Sequence, residues 1–384
     1  MRLLIVSTGA GTGHNRAAAA LEEAARATQP DAVVSTIDAL DYGTSLLRDI
    51  YARSYILMAN RIPALWGFVY TRSNDKDADS RLGRLRALID RVNARRLLET
   101  ARAFRPDAIL CTHFLPASVL GNLAEERRIP LSMVVTDFDL HAMWVQPRVA
   151  HYFVAAEGVR RMVIARGIPG DRISVAGIPI LDRFRNAPSR AEARRRLGFD
   201  DDRPLLLAMG GGFGRRGLAA VVEAAASVNE GGTVLAVTGH NRKVRAAIER
   251  LHGGNGRVKT YGFVENVEVL MSASNLLLSK PGGLTSAESL TMGLPMVLTS
   301  PVPGQEEQNA AFLVASGAAV RTGSTDDLRR AVGPLLGDRD RLESMARAAL
   351  DAARPFASRD IVRRVLDDAQ APRAKLAGLD GADG

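Results

Sequence analysis

Three glycine-containing stretches set chemically useful side chains beside backbone turns. The first is GAGTGHNRAAAAL (9–21). Its glycines let a backbone approach an anion or a substrate, and the helix that follows offers unpaired N–H groups at its start. His14 stands where the third glycine of a dinucleotide fingerprint would be, and there is no Gly-Lys-Ser/Thr of a Walker loop. A histidine here, at the carboxyl edge of a sheet, can take a proton from a substrate; otherwise it is a helix-start residue with a solvated ring. The second stretch is SKPGGLTSAESLTMGLP (279–295). Gly282 and Gly283 present backbone donors, Thr285 can reach a phosphate, and Glu288 can accept from the two vicinal hydroxyls of a ribose. The spacing Thr285-x-x-Glu288 is equally that of a helix capping box, which needs no ligand. The third is PVPGQEEQN (301–309), where Gln305, Glu306 and Asn309 combine amides and a carboxylate in a pattern that suits sugar hydroxyls. Acidic residues also favour a helix start through the macrodipole alone.

Short β-branched or apolar runs alternate with stretches of helical period along the whole chain, the mark of parallel sheets with crossover helices. Strands are predicted near 2–7, 33–38, 108–113, 131–137, 151–156 and 173–177. A second series follows near 205–209, 233–238, 258–263, 276–280, 296–299 and 318–322. A polar, Arg-rich stretch at 182–204 separates them, so two doubly wound α/β domains meet at a linker near 180–200. All three glycine stretches follow a strand and run into a helix. Residues 326–369 read as helices only, and 371–384 is too rich in Gly, Ala and Asp to bury anything and reads as a disordered tail.

The insertion 42–105 breaks the strand–helix rhythm, with two or more amphipathic helices expected. It carries 13 basic residues against six acids, a net +7 out of +9 for the 384-residue chain. Four of the six tyrosines and Trp66 fall within residues 42–70. Basic charge mixed with aromatic rings suits a polyanion, either nucleic acid or an anionic membrane face. Hydrophobic residues at 46% and charged residues at 24% exclude disorder for the bulk of the chain. No apolar run is long enough to span a bilayer, and LLIVS (3–7) is too short for a signal peptide, so a soluble, unexported protein is expected. The single cysteine, Cys111, permits no internal disulfide. Asp-x-Asp pairs at 75/77/79, 137/139 and 338/340 are scattered among 42 acids and read as chance; no catalytic metal is expected.

In order along the chain, LLIVSTGAGTGHNRAA, TDFDLHAMWV (136–145), YFVAAEGV (152–159), GIPI (177–180), YGFVENV (261–267), the PGG-L-T-x-x-E segment and PVPGQEEQNAAF resemble the monogalactosyldiacylglycerol synthase and processive diacylglycerol glucosyltransferase family. The resemblance implies a GT-B fold, two Rossmann-like domains facing a cleft. Residues 1–180 would be the acceptor and membrane-facing domain and 181–353 the nucleotide-sugar domain, with a helix at 354–370 returning to the first. It implies His14 as general base and Asp137, His141 and Trp144 on the acceptor side. Gly211, Gly212, Phe263, Val264, Gly282, Gly283, Thr285 and Glu288 would hold the nucleotide, and Gln305, Glu306 and Asn309 the hexose. Two positions depart from the family pattern: Leu181 follows GIPI where an arginine is common, with Arg183 as a possible substitute, and Phe213 stands in the glycine loop GGGFGRRG (210–217) where plant-type members tend to carry an acid.

The activity implied is inverting transfer of a hexose from a UDP-sugar to diacylglycerol, with no cofactor beyond the donor as co-substrate. Glucose, galactose and glucuronate all fit the donor pattern. The expected setting is the cytoplasm, peripheral on the inner face of the cell membrane. Another lipid acceptor, such as a polyprenyl-linked sugar, is the alternative within the class. Nucleic-acid binding lacks a recognised motif, and nicotinamide binding lacks the third glycine.

Overall fold

The computed structural model of the protein describes residues 1–9, 12–43, 95–199, 202–210, 217–254, 256–299 and 304–380, the last ten by backbone only. Most of the insertion, residues 44–94, lies outside the described residues, as do Gly211 and Gly212. The chain divides into two compact units, Met1–Asp182 with Phe356–Gly384, and Arg183–Pro355.

The first unit is built on six parallel strands, β1 (Arg2–Ser7), β2 (Val33–Asp38), β3 (Ala108–Cys111), β4 (Leu131–Val134), β5 (His151–Val154) and β6 (Ile173–Val175), in the order β2-β1-β3-β4-β5-β6. Its inner strands are largely apolar, Ser132 within β4 and His151 at the start of β5 aside, because helices cover both faces and leave no solvent side for polar alternation. On one face lie α2 (Arg95–Phe104), α3 (Phe114–Arg127) and α4 (Glu157–Ala165), burying Leu97, Leu120, Leu123, Val159 and Val163 against Leu4, Ile109 and Met133. On the other lies α1 (Thr12–Thr28), whose small Ala18 and Ala25 flank Leu21. There it meets the C-terminal helix through Ile361, Val362, Val365 and Leu366.

The second unit carries α5 (Asp182–Arg185), which begins at the boundary, and α6 (Arg190–Leu197). Its strands are β7 (Leu205–Met209), β8 (Thr233–Val237), β9 (Val258–Tyr261), β10 (Leu276–Ser279), β11 (Met296–Thr299) and β12 (Ala319–Thr322). Between and after them come α7 (Leu218–Val228), α8 (Arg242–His252), α9 (Val267–Ala273), α10 (Gly283–Thr291), α11 (Gln305–Ala315), α12 (Thr325–Gly337) and α13 (Arg339–Ala352). The sheet order β12-β11-β10-β7-β8-β9 is the doubly wound dinucleotide-fold order read from its other edge. The Arg-rich stretch expected to act as a linker is therefore helical and part of this unit. Arg194 explains why: it is buried and donates to the Ala273 carbonyl (3.1 Å) and the Asn275 amide oxygen (2.9 Å), fastening α6 to the start of β10.

The last helix, α14 (Ala357–Asp380), extends into the stretch 371–384 that composition leaves without structure. Seven of its ten added residues are Ala, Leu, Arg or Lys, good helix formers that, against Pro372 and Gly378, prolong a helix already nucleated by packing. No helix among the described residues is long and apolar enough to cross a membrane.

Candidate active site

Parallel sheets bind ligands beyond the carboxyl ends of their strands, where the strand order reverses. In the first sheet that point lies between β1 and β3, each paired with the other in parallel register, Val6 opposite Cys111. The glycine stretch leaves β1 here, and α1 starts at Thr12, so His14 sits in the first helical turn. On the other flank of β1, Ser7 is level with Asp38 at the end of β2.

Asp38 organises the loop. One carboxylate oxygen accepts from the Gly9 and Leu40 amides, both at 3.0 Å; the other accepts from Asn15 Nδ2 at 3.0 Å. Asn15 in turn accepts from the Ser7 hydroxyl at 2.6 Å. A Cβ on residue 9 would stand 2.4 Å from Asp38 Oδ2, so any side chain there pushes on the carboxylate that holds the loop.

Thr112, just past β3, holds His14 twice. Its carbonyl lies 2.9 Å from His14 Nδ1, and its hydroxyl donates to the His14 carbonyl at 3.2 Å. A carbonyl only accepts, so Nδ1 carries the ring proton, with the Thr136 hydroxyl oxygen at 3.1 Å as a second neighbour. The lone pair of the neutral ring is thereby on Nε2. Desolvation lowers the His14 pKa to about 4, against smaller upward effects of the Thr112 bond and the Asp38 charge. The imidazole is neutral at physiological pH, the state a proton acceptor needs.

Around this ring stand His113, 4.7 Å away edge-on, and Trp144, 6.1 Å away, with Phe114 packed against both. Trp144 is buried, as are Asp137 and His141. His141 accepts from the Met143 amide at 3.2 Å and so caps the short turn Ala142–Trp144; the H-x-x-W spacing builds the turn that carries the tryptophan. His113 caps α3 in the same way, accepting from the Leu115 amide at 3.1 Å. Sequence reasoning brings out His14 and Trp144 but misses Asp38, Thr112, Thr136 and His113. The detectable signal was Asp38, the acid ending the strand beside the glycine stretch.

In the second sheet the order reverses between β7 and β10, where Met209 is opposite Ser279. The glycine stretch 210–217 follows β7 in the sequence, with 211–216, Phe213 among them, outside the described residues, and Lys280-Pro281-Gly282 leaves β10. Helix α10 begins at Gly283 with Gly282 as its N-cap, and no side chain caps it. Thr285 is thus inside the first turn, and the capping-box reading of Thr285-x-x-Glu288 falls. Glu288 is buried one turn on. Beyond β9, Val264 is half-buried while Phe263 is 57% exposed and stacked on His240, ring centroids 4.5 Å apart. Helix α11 starts after Gly304, whose φ of 101° and ψ of −125° belong to glycine. Gln305 is half-buried. Glu306 is buried and pairs with Lys280 at 2.5 Å, whereas Glu307 turns outward to Arg321. Asn309 is wholly buried and donates to the Pro281 carbonyl at 3.0 Å. Arg183, considered as a diphosphate ligand, lies 3.7 Å from Glu268.

Two Rossmann-like units, each a parallel sheet whose strand order reverses once, with glycine-containing stretches following the strands at that point, define the GT-B fold. A solved structure of Acinetobacter baumannii MurG aligns over 95% of this chain and 99% of its own with a TM-score of 0.63 at 18% identity. The family described as monogalactosyldiacylglycerol (MGDG) synthase matches residues 14–180, and glycosyl transferases group 1 matches 189–351. A processive diacylglycerol beta-glucosyltransferase of Bacillus pumilus is 30% identical over 66% of this chain and 67% of its own length. That of Bacillus cytotoxicus is 27% identical over 96% and 94%. The chain belongs to the monogalactosyldiacylglycerol synthase and processive diacylglycerol glucosyltransferase family.

Proposed function

We propose that the protein is an inverting glycosyltransferase that moves a hexose from a UDP-sugar to the free hydroxyl of diacylglycerol, giving a β-glycosyl lipid. The acceptor oxygen attacks the anomeric carbon as the bond to UDP breaks; UDP leaves with the electron pair, and His14 Nε2 takes the hydroxyl proton. General-base assistance of this kind contributes roughly 10²–10⁴ in rate. The observation that carries the reading is the fixed tautomer of His14: Thr112 holds the proton on Nδ1 and leaves a basic Nε2 at the reversal point of the first sheet. The names of the relatives supply the diacylglycerol acceptor and the glucosyl group transferred to it.

In this reading the second unit binds the donor. The amides at the start of α10, with Gly282, Gly283 and Thr285, face the diphosphate, where helix-start donors stabilise the charge on departing UDP. Glu288 takes the ribose, the backbone of Phe263 and Val264 takes the uracil, and Gly211 and Gly212 complete the loop. Gln305, Glu306 and Asn309 contact the hexose, and Asn309 also holds their helix to the donor loop through the Pro281 carbonyl. Asp137, His141 and Trp144 shape the acceptor side. The insertion 42–105 would bring the enzyme to an anionic membrane surface on the cytoplasmic face, since diacylglycerol stays in the bilayer.

The test is transfer from labelled UDP-glucose, UDP-galactose and UDP-glucuronate to diacylglycerol in mixed micelles, with identification of the anomer. A β-glycosyl diacylglycerol is expected. Transfer only to a polyprenyl-linked sugar, or hydrolysis without transfer, would replace the acceptor assignment.

A further inference from the structure

The donor loop and the sugar helix are joined by two side-chain ties, and one of them uses a residue with no role so far. Lys280 leaves the end of β10, and its Nζ meets Glu306 Oε1 at 2.5 Å in the first turn of α11. One residue on, the Pro281 carbonyl accepts from Asn309, one turn further along the same helix. The Glu306 side chain is only 9% exposed, whereas that of Lys280 is 34% exposed. A carboxylate so enclosed needs an opposite charge against it, and the short contact to Lys280 also selects among its rotamers. The neighbouring Glu307, with Arg321 as its partner, points elsewhere.

We propose that Lys280 is a positioning residue for the donor sugar: it holds the Glu306 carboxylate in the orientation that accepts from hexose hydroxyls. The proposal rests on the reading of Glu306 as a hexose contact. Lys280 acts through Glu306, so its effect appears with UDP-hexose and is absent with UDP, which carries no sugar.

Calorimetric titration of wild type, Lys280→Met, Glu306→Gln and the double variant with UDP, and with whichever of UDP-glucose and UDP-galactose wild type binds more tightly, tests this. Lys280→Met is expected to bind UDP within about twofold of wild type and UDP-hexose about tenfold more weakly. In the Glu306→Gln background it is expected to add less than about twofold, because coupled residues are non-additive. Unchanged UDP affinity also shows that the variant is folded. Lys280→Arg, which keeps the charge, is expected to recover at least about a third of the lost discrimination; no recovery counts against the proposal. Equal losses for UDP and UDP-hexose, or additive effects in the double variant, overturn it. If Glu306→Gln weakens UDP-hexose and Lys280→Met does not, the Lys280 assignment alone fails. If Glu306→Gln itself binds UDP-hexose as wild type does, the hexose reading fails and takes this proposal with it.

Discussion

Replacing His14 by alanine separates chemistry from donor binding and carries a second signature in stability. The ring is held by Thr112 and Thr136 of the first unit, so its loss leaves the groups assigned to UDP untouched. Turnover is expected to fall by at least about 10²-fold with UDP affinity unchanged, because a general base acts on the transition state. The pKa of the ring drops from 6.5 to about 4 on folding. Between these values the unfolded chain binds a proton that the folded protein does not, so acid destabilises the fold across this window, whereas the stabilised form is fully present above it. At about 1.4 kcal/mol per unit the upper limit is about 3 kcal/mol, which solvent contact of the half-buried ring reduces to about 2 kcal/mol. His14→Ala lacks this liability, so its stability relative to wild type is expected to improve by about 2 kcal/mol from pH 7 to pH 4. Trp144 belongs to the first unit and stands beside the ring, and urea unfolding followed by tryptophan fluorescence at the two pH values measures the difference. Near-normal turnover would return His14 to a structural role. An equal stability difference at both pH values would refute the burial argument behind its neutral state.

Gly9→Ala is expected to cost about 10²-fold in turnover without changing UDP affinity. Its new Cβ, 2.4 Å from Asp38 Oδ2, forces that carboxylate or the loop it holds to shift by about 1 Å to reach ordinary contact, and a catalytic group displaced by that much loses about that factor; activity within threefold or so of wild type would show that the loop does not set His14. Glu288→Gln keeps the packing of a buried side chain and is expected to weaken UDP at least about tenfold, since a hydrogen bond to a charged group is worth about 1.5–3 kcal/mol. Retained UDP affinity, measured by titration, would remove Glu288 from the ribose. Sedimentation with liposomes tests the insertion: binding is expected to require anionic lipid, to fall as salt rises, and to weaken when Arg53, Arg61 and Arg72 become Gln together, at about 1 kcal/mol per basic residue near the surface. Equal binding to neutral and anionic vesicles would take this segment out of the mechanism.

The alternation of apolar runs with helical stretches was sufficient to locate the strands of both sheets, because a strand covered on both faces must be apolar throughout. β1 and β7 run as read, and strands such as β3 and β4 stop two or three residues short of the apolar stretch, where the chain turns to carry Thr112 and Thr136 to His14. The glycine stretches, set after strands and before helices, likewise marked where ligands would bind. Local spacing could not choose between a capping box and a ligand at Thr285 and Glu288. That depends on where α10 begins, and the Ser286 amide, donating to the Gly282 carbonyl at 2.9 Å, starts it at Gly283. Nor could it find Thr112 or Lys280, whose partners lie 98 and 26 residues away. The sequence by itself determined the two α/β units and which residue types stand at their reversal points, since hydrophobic period and turn chemistry are local. Only the tertiary structure decided the state of those residues: the tautomer and neutrality of His14, the inward turn of Glu306 and the outward turn of Glu307. Desolvation and long-range hydrogen bonds arise only when distant strands pack side by side.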